Sequence, residues 1–497
     1  MKTRELSKIS LLVCLIVGLG LAAPACSGKS TKKDEKPVQE GQKDGEKDQK
    51  DGDGELTERD IPEYKPIAID EAPDPKVEKL GESDGVTAHL VGGVKVLHKR
   101  TPATSVVSAR VYLKGGSAHL TETTSGIERL ALSVAVNGGT ESHPKDDFNA
   151  ALDSMGSSVS AFNERDYSGY AMQSVLENFG PTWDLMVETI TEPALPESEL
   201  ELQREQHLAD IRSLRDNPDR LVGYTATGLL FEGHPYATLQ LGTEANVSAF
   251  TRDDIKAYQR AMLRPSDMVV VVVGNVSDDE IIERVSNTIA RIDPGELEAQ
   301  ELTEFDVEEP SMKVAEKDIP TNYIFGLFPA PSPGDEDYAA MLVAVEYLRD
   351  RLFEEVRTKR NLTYAVSSGL SNKRVNYGYL YVTAVEPDKT MPVIYDEVDK
   401  LEQGKFSKKQ LEQSRNVFLT EHYMDLETNG SQASLLAQSE IIAGDWKSHA
   451  DFIEQVRDVS SEDVSRVAKT YMKNYQFGIV GKPANVDETL FVGEEGE

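Results

Sequence analysis

Cysteine is nearly absent from this chain: there are two, Cys14 and Cys26, both close to the start. The body that follows therefore has no disulfide, no thiolate nucleophile and no cysteine-held zinc available to it. Histidine is sparse as well. The eight stand at positions 89, 98, 119, 143, 207, 234, 422 and 449, and no two lie within five residues. A helix face bearing two imidazoles one turn apart is thereby excluded. No Gly-x-Ser-x-Gly elbow follows a strand-like run, and no glycine-rich phosphate loop is present. Positive charge is in deficit too, with 53 Lys and Arg against 86 Asp and Glu and a formal net charge of −33. Such a chain repels nucleic acid and anionic lipid; the charge serves solubility and favours basic or neutral partners.

What is present begins with an export pattern. Lys2, Arg4 and Lys8 precede an apolar run over 9–23 that is too short to favour a permanent span. Cys26, followed by Ser27-Gly28, is similar to the modified cysteine of bacterial lipoproteins, although Leu21 lies further away than usual and Pro24 intervenes. Ordinary cleavage after Ala25, with no lipid, is the alternative. The expectation is a signal peptide over 1–26, lipidation at Cys26 and a membrane anchor on the periplasmic face of the cell envelope. Residues 27–85 are largely Lys, Asp, Glu, Gln and Gly at first, too poor in apolar side chains to offset ordering entropy, and read as a disordered tether.

From 86 onward the chain alternates between strand and helix periodicities. Strands are expected over 86–99, broken at Gly92-Gly93, and over 105–113, 157–162, 167–175 and 268–273. Helices are expected over 127–136, 147–155, 183–191, 197–215, where Asn217-Pro218 ends the run, and 253–262. The order then repeats: Glu199-Leu200 matches Gln410-Leu411, Asp254-Ile255 matches Asp463-Val464, and Gly274 matches Gly481. The offset is roughly 210 residues each time, which marks duplication of a large unit. The fold class read here is α+β, two tandem homologous units over 86–293 and 312–484. A linker lies at 294–311 and an acidic tail at 485–497.

Several segments carry a resemblance. Phe231-Glu-Gly-His234-Pro235-Tyr236, Leu241-Gly242-Thr243 and 250–276 in the first half, with Arg357-Thr-Lys-Arg-Asn-Leu362-Thr363-Tyr364 in the second, resemble the pitrilysin/insulinase family of zinc metallopeptidases. The resemblance implies that the helix after Gly126 would carry His-x-x-Glu-His, two zinc ligands and a base. Counted forward from Gly126, those positions hold Arg129, Leu132 and Ser133; counted back from Gly139-Thr140, they hold Leu130, Ser133 and Val134. Neither register supplies a ligand. The third ligand position falls on Asp210, read as an ordinary polar residue, and His207 is read as lying on the solvated helix face. His119-Leu-Thr-Glu122 lacks a second histidine and sits at a strand exit, so it is not read as a metal site. His234-Pro235-Tyr236 is read as structural.

Arg357 and Tyr364 are the positive finding. The resemblance implies that they grip the substrate near the scissile bond, with Arg360 the nearest competitor for the arginine's role. A guanidinium offers a fixed fork to a carbonyl or carboxylate, and a phenol can donate to a developing oxyanion. The functional expectation is a non-metal subunit of a heteromeric zinc endopeptidase, inactive alone. It would bind unfolded peptides while a homologous His-x-x-Glu-His chain supplies the zinc; no cofactor is assigned to this chain. The alternative is a catalytically inactive binding or assembly protein of the envelope.

Overall fold

The run Met268–Gly274 has no side chain that gains from water, so both its faces have to be covered. The computed structural model, which describes residues 74–493, shows how that is done. The first unit contains strands β1 (Val77–Ser83), β2 (Val86–Val91), β3 (Val94–Arg100), β4 (Val106–Lys114), β5 (Ser158–Asn163), β6 (Tyr167–Val175) and β7 (Met268–Gly274). Its helices are α1 (Ile127–Asn137), α2 (Lys145–Met155), α3 (Phe179–Thr191), α4 (Glu197–Asp216), α5 (Pro218–Leu230), α6 (Glu244–Ala249), α7 (Arg252–Met262) and α8 (Asp278–Asn287). The second unit has β8 (Ser311–Glu316), β9 (Asn322–Pro329), β10 (Val366–Leu370), β11 (Tyr377–Ala384) and β12 (Gln476–Gly481). With these go α9 (Tyr338–Leu352), α10 (Pro387–Glu402), α11 (Lys408–Asp425), α12 (Asn429–Ile441), α13 (Ser448–Asp458), α14 (Ser461–Tyr471) and α15 (Thr489–Val492).

The first sheet runs β1-β2-β3-β7-β4-β6-β5 and the second β10-β11-β9-β12-β8. In each, one pair is parallel, β3 with β7 and β8 with β12, and the remaining neighbours are antiparallel. The order β3-β7-β4-β6-β5 thus recurs as β8-β12-β9-β11-β10, which is the duplication read from the sequence. Local chemistry repeats with it. Thr251 and Asp254 form a reciprocal capping box at the start of α7, and Ser460 and Asp463 form the same box at α14.

The units exchange one helix each. Helix α12 of the second unit lies on the first sheet, where Ala433, Leu436, Ala437 and Ile441 pack with Val269, Val271 and Val273. The alternate residues, Val270 and Val272, face the first unit's own helices. In return α5 lies on the second sheet, with Val222 against Tyr381 and Val480. Glu440 on α12 is buried and accepts from Lys95 at 2.6 Å and Lys114 at 3.4 Å, joining the units by charge as well. Helix α5 is where the sequence reading stopped short. Asn217 does end α4, but its side chain then accepts from the Asp219 and Arg220 amides and caps α5, with Pro218 in the first turn.

The boundaries also shift. The first sheet begins at β1, ahead of the expected start at 86, because Val77–Ser83 pairs antiparallel along β2. Ser311, expected in the linker, opens β8, and Phe491 of the expected tail is buried against the second core. The expected signal peptide over 1–26, with Cys26, and the expected tether as far as residue 73 lie outside the described residues.

Gly478 on β12 marks how closely α5 sits: a Cβ there would stand 2.5 Å from the Ala226 amide nitrogen and 2.8 Å from its Cβ. Gly478→Val therefore forces the exchanged helix away. The expected loss is about 1–3 kcal/mol of stability, read as a lowered urea midpoint; an unchanged midpoint would show that α5 does not depend on this contact.

Candidate functional site

Two places need inspection, the seam between α1 and α4 and the end of α9. Helix α1 starts at Gly126 in a left-handed conformation, φ 92°, pressed on Gly242 so tightly that a Cβ would meet its Cα at 3.1 Å. This contact fixes how α1 faces α4. Leu130 and Val134 point into the core, while Arg129 turns toward α4 and donates to the Asp210 carboxylate. The forward register is thus the one that looks onto the seam, and there a guanidinium paired with a carboxylate stands where the resemblance puts metal ligands.

Zinc does not fit these residues. The ligand and base positions hold a cation, an alkyl chain and a hydroxyl, and the remaining carboxylate is already engaged. His207, expected on the solvated face, is instead buried beneath the seam, where its Nε2 bonds the Leu241 carbonyl at 2.7 Å. Burial, and secondarily the Arg129 charge, push its pKa down to about 4, so it is neutral. Helix α4 is less amphipathic in sequence than in its surroundings, because α1 and the 241–243 segment cover its flank; this is why the reading from periodicity missed His207. No group of three His, Cys, Asp or Glu able to hold a metal occurs among the described residues.

Other sequence candidates resolve into structure. His119 is buried in the cradle that Gly115 leaves by lacking a Cβ, whereas Glu122 is exposed. His234 accepts from the Tyr236 amide at 3.0 Å, and the Tyr236 hydroxyl donates to Asp166, whose other oxygen accepts from the Arg374 amide of the second unit. The His-Pro-Tyr segment is thus a tie between units.

At the far end of α9 the helix widens into a π-helical turn, Phe353–Lys359, of the kind that often sits at functional sites. Its basic residues divide sharply. Arg360 donates to the Glu355 carboxylate at 2.6 Å and to its carbonyl at 2.9 Å, and Lys359 reaches the same carboxylate at 2.6 Å. Lys359 and then Arg360 hold the Glu355 carboxyl down to about 2. Arg357 has no acidic partner among the described residues. Its guanidinium lies 4.9 Å from the Phe353 ring centre and 5.0 Å from that of Tyr364, which is 81% exposed. The structure thus brings Arg357 and Tyr364 together and ties Arg360 down. Phe353, the third member of the stack, escaped the sequence reading; its spacing of four residues before Arg357 was the available signal.

A further titratable group went unnoticed. Glu128, beside Arg129 on α1, is fully buried and is bonded by Asn163 at 2.8 Å and by the Tyr258 hydroxyl at 2.9 Å. Burial raises its pKa to about 7. Because the folded value lies above the unfolded one, its contribution to stability is complete below about pH 4.5 and lost as pH rises through 7. Glu128→Gln should leave stability near pH 4 almost unchanged and improve it at pH 8, by at most roughly 3 kcal/mol. Equal denaturant midpoints for both proteins at pH 8 would contradict this.

Comparison with known proteins places this geometry. A family model described as Insulinase (Peptidase family M16) matches residues 95–238, and one described as Peptidase M16 inactive domain matches 249–418. The chain is 23% identical over 404 residues to the uncharacterized zinc protease YmxG of Bacillus subtilis, covering 79% of this chain and 97% of that one. Among solved structures it is similar to a protease from Helicobacter pylori, with a TM-score of 0.72 and 19% identity over 82% of this chain and 99% of that one. It is also similar to the periplasmic protease PqqL from Escherichia coli, with a TM-score of 0.70 and 15% identity. That match takes in 84% of this chain but only 48% of PqqL.

Proposed function

The chain belongs to the insulinase family of peptidases, M16, as a member without the zinc motif, and from that premise we propose that it is the substrate-positioning subunit of a two-chain endopeptidase. The observation that carries the reading is Arg357. Among the described residues it is a guanidinium left without a carboxylate, although Glu354 and Glu355 stand beside it and are taken by Arg351, Lys359 and Arg360. Rings on Phe353 and Tyr364 hold it in place and leave its edge N–H groups for an acceptor in the guanidinium plane, such as a peptide carbonyl. The Tyr364 hydroxyl, exposed beside it, is suited to donate to oxygen that gains charge as the amide is attacked.

Among the described residues, the α1–α4 seam offers nothing to activate the attacking water. Arg129, Leu132 and Ser133 neither ligate nor abstract a proton, so that part falls to a homologous partner with His-x-x-Glu-His. The fold of PqqL supports such a division, since a chain about twice as long holds the equivalent of this one in half its length. Unfolded peptides are the substrates and no nucleic acid is involved. We place the complex at the periplasmic face of the envelope, tethered through Cys26. No helix among the described residues is long and apolar enough to cross a membrane.

Purification of the tagged mature protein from gently solubilised envelopes should bring down a homologous chain with an intact His-x-x-Glu-His. In that complex Arg357→Ala should lower peptide cleavage about 100-fold while the two chains still co-elute. Recovery without such a chain, or unchanged cleavage by the variant, would favour a non-catalytic assembly role.

A further inference from the structure

Duplication lets the chain be compared with itself. Arg129 of α1 pairs with Asp210 of α4; in the second unit Arg349 of α9 reaches Glu421 of α11 at 3.7 Å. The offset that aligns Glu199 with Gln410 also aligns Asp210 with Glu421, so the two acids stand at equivalent places on α4 and α11, while the same offset sets Arg129 on Ala340 and the arginines come from different turns of their helices. Around them the units differ. Phe353 stands four residues after Arg349 on the second unit's helix. A helical turn to either side of the acid stand Gln206 and Ser213 in the first, Val417 and Met424 in the second.

These apolar side chains face water: Phe353 is 45% exposed, Val417 47% and Met424 61%. Folding does not call for Val417 and Met424, because Gln206 and Ser213 occupy the equivalent positions of the first unit. Nor do they stand alone. Phe353 carries the Arg357 guanidinium, which in turn lies on Tyr364. Residues three or four apart share a helix face, so Val417 and Met424 continue the surface past the Arg349–Glu421 pair. The track thus runs from Tyr364 through Arg357 and Phe353 to α11. Its flanks are acidic, with Asp425 and Glu427 exposed beside Glu421. Aromatic rings and a methionine thioether present adaptable apolar area, suited to side chains that vary from one ligand to the next.

We propose that this track across α9 and α11 receives the side chains of an extended peptide rich in apolar residues and poor in carboxylates, while Arg357 grips the peptide backbone. The inference rests on the reading of Arg357 given above and adds the class of ligand. A polar peptide would leave Phe353, Val417 and Met424 in water, and an acidic one would meet the carboxylates along α11.

The test uses the mature chain alone and two short, unstructured, fluorescein-labelled peptides, one with Leu and Phe interspersed with Lys, the other with Ser in place of each Leu and Phe. Fluorescence anisotropy follows binding to wild type, to Arg357→Ala and to Val417→Gln/Met424→Ser, which takes its residues from the equivalent positions of the first unit. The double variant should bind the apolar peptide about tenfold more weakly, with the serine peptide and the thermal midpoint unaffected. Unchanged affinity for the apolar peptide would overturn the proposal. If Arg357→Ala weakens binding and the double variant does not, the track fails and the Arg357 reading stands; the reverse result sinks that reading and keeps the track. A double variant that loses only a larger assembly in sedimentation, with peptide affinity intact, makes the face a protein–protein contact and also overturns the proposal.

Discussion

Everything in this molecule depends on the reciprocal exchange of α5 and α12. A sheet with helices on one face has a second face to cover, and here each unit covers it with a helix from the other. That single arrangement explains why β7 is a run of five consecutive valines and why Glu440 is buried with two lysines from the opposite unit. It also explains why glycine stands at 478, where α5 leaves no room for a Cβ. The two cores are therefore not independent. Their relative position, and with it the direction in which the α9 end and the α1–α4 seam face, is set by helix–sheet contacts that neither unit could make alone.

The first unit shows what a metalloenzyme scaffold does when the metal is gone. In this fold the seam between α1 and α4 brings side chains of both helices together, and a cation there neutralises Asp210. Arg129 supplies a covalently held one. In the second unit Arg349, paired with Glu346 at 2.5 Å, also reaches Glu421 of α11 at 3.7 Å. Arginine suits this role because its charge is retained at any pH the protein meets and its planar fork fits a carboxylate. The seam thus needs neither a ligand set nor a bound ion to hold the two helices.

Local signals made much of this legible beforehand. The β7 run and the turn at Gly92-Gly93 each announce their element within a few residues. Spacing alone excluded a pair of histidines one helical turn apart, and the resemblance implied where on α1 such ligands would have stood. What escaped were features that depend on the other unit. Helix α5 has its apolar face on a sheet formed by strands within 311–481, with Val222 against Tyr381 and Val480, so its start looked like the end of α4. His207 looked solvated because the segment that buries it, at Leu241, is remote in sequence. Arg357 and Tyr364 were found through the resemblance, but their stacking with Phe353, and the way Glu355 absorbs Arg360, needed the fold.

The exchanged helices also impose an order on synthesis. When β7 leaves the ribosome at Gly274, the face of the first sheet formed by Val269, Val271 and Val273 has no cover, because α12 begins at Asn429. At ordinary elongation speeds that interval lasts on the order of ten seconds or more. Throughout it the nascent chain presents a flat, valine-lined surface to its surroundings. A chain built this way cannot complete its first half before its second, and a holding factor would serve it better than any gain in the stability of the finished fold.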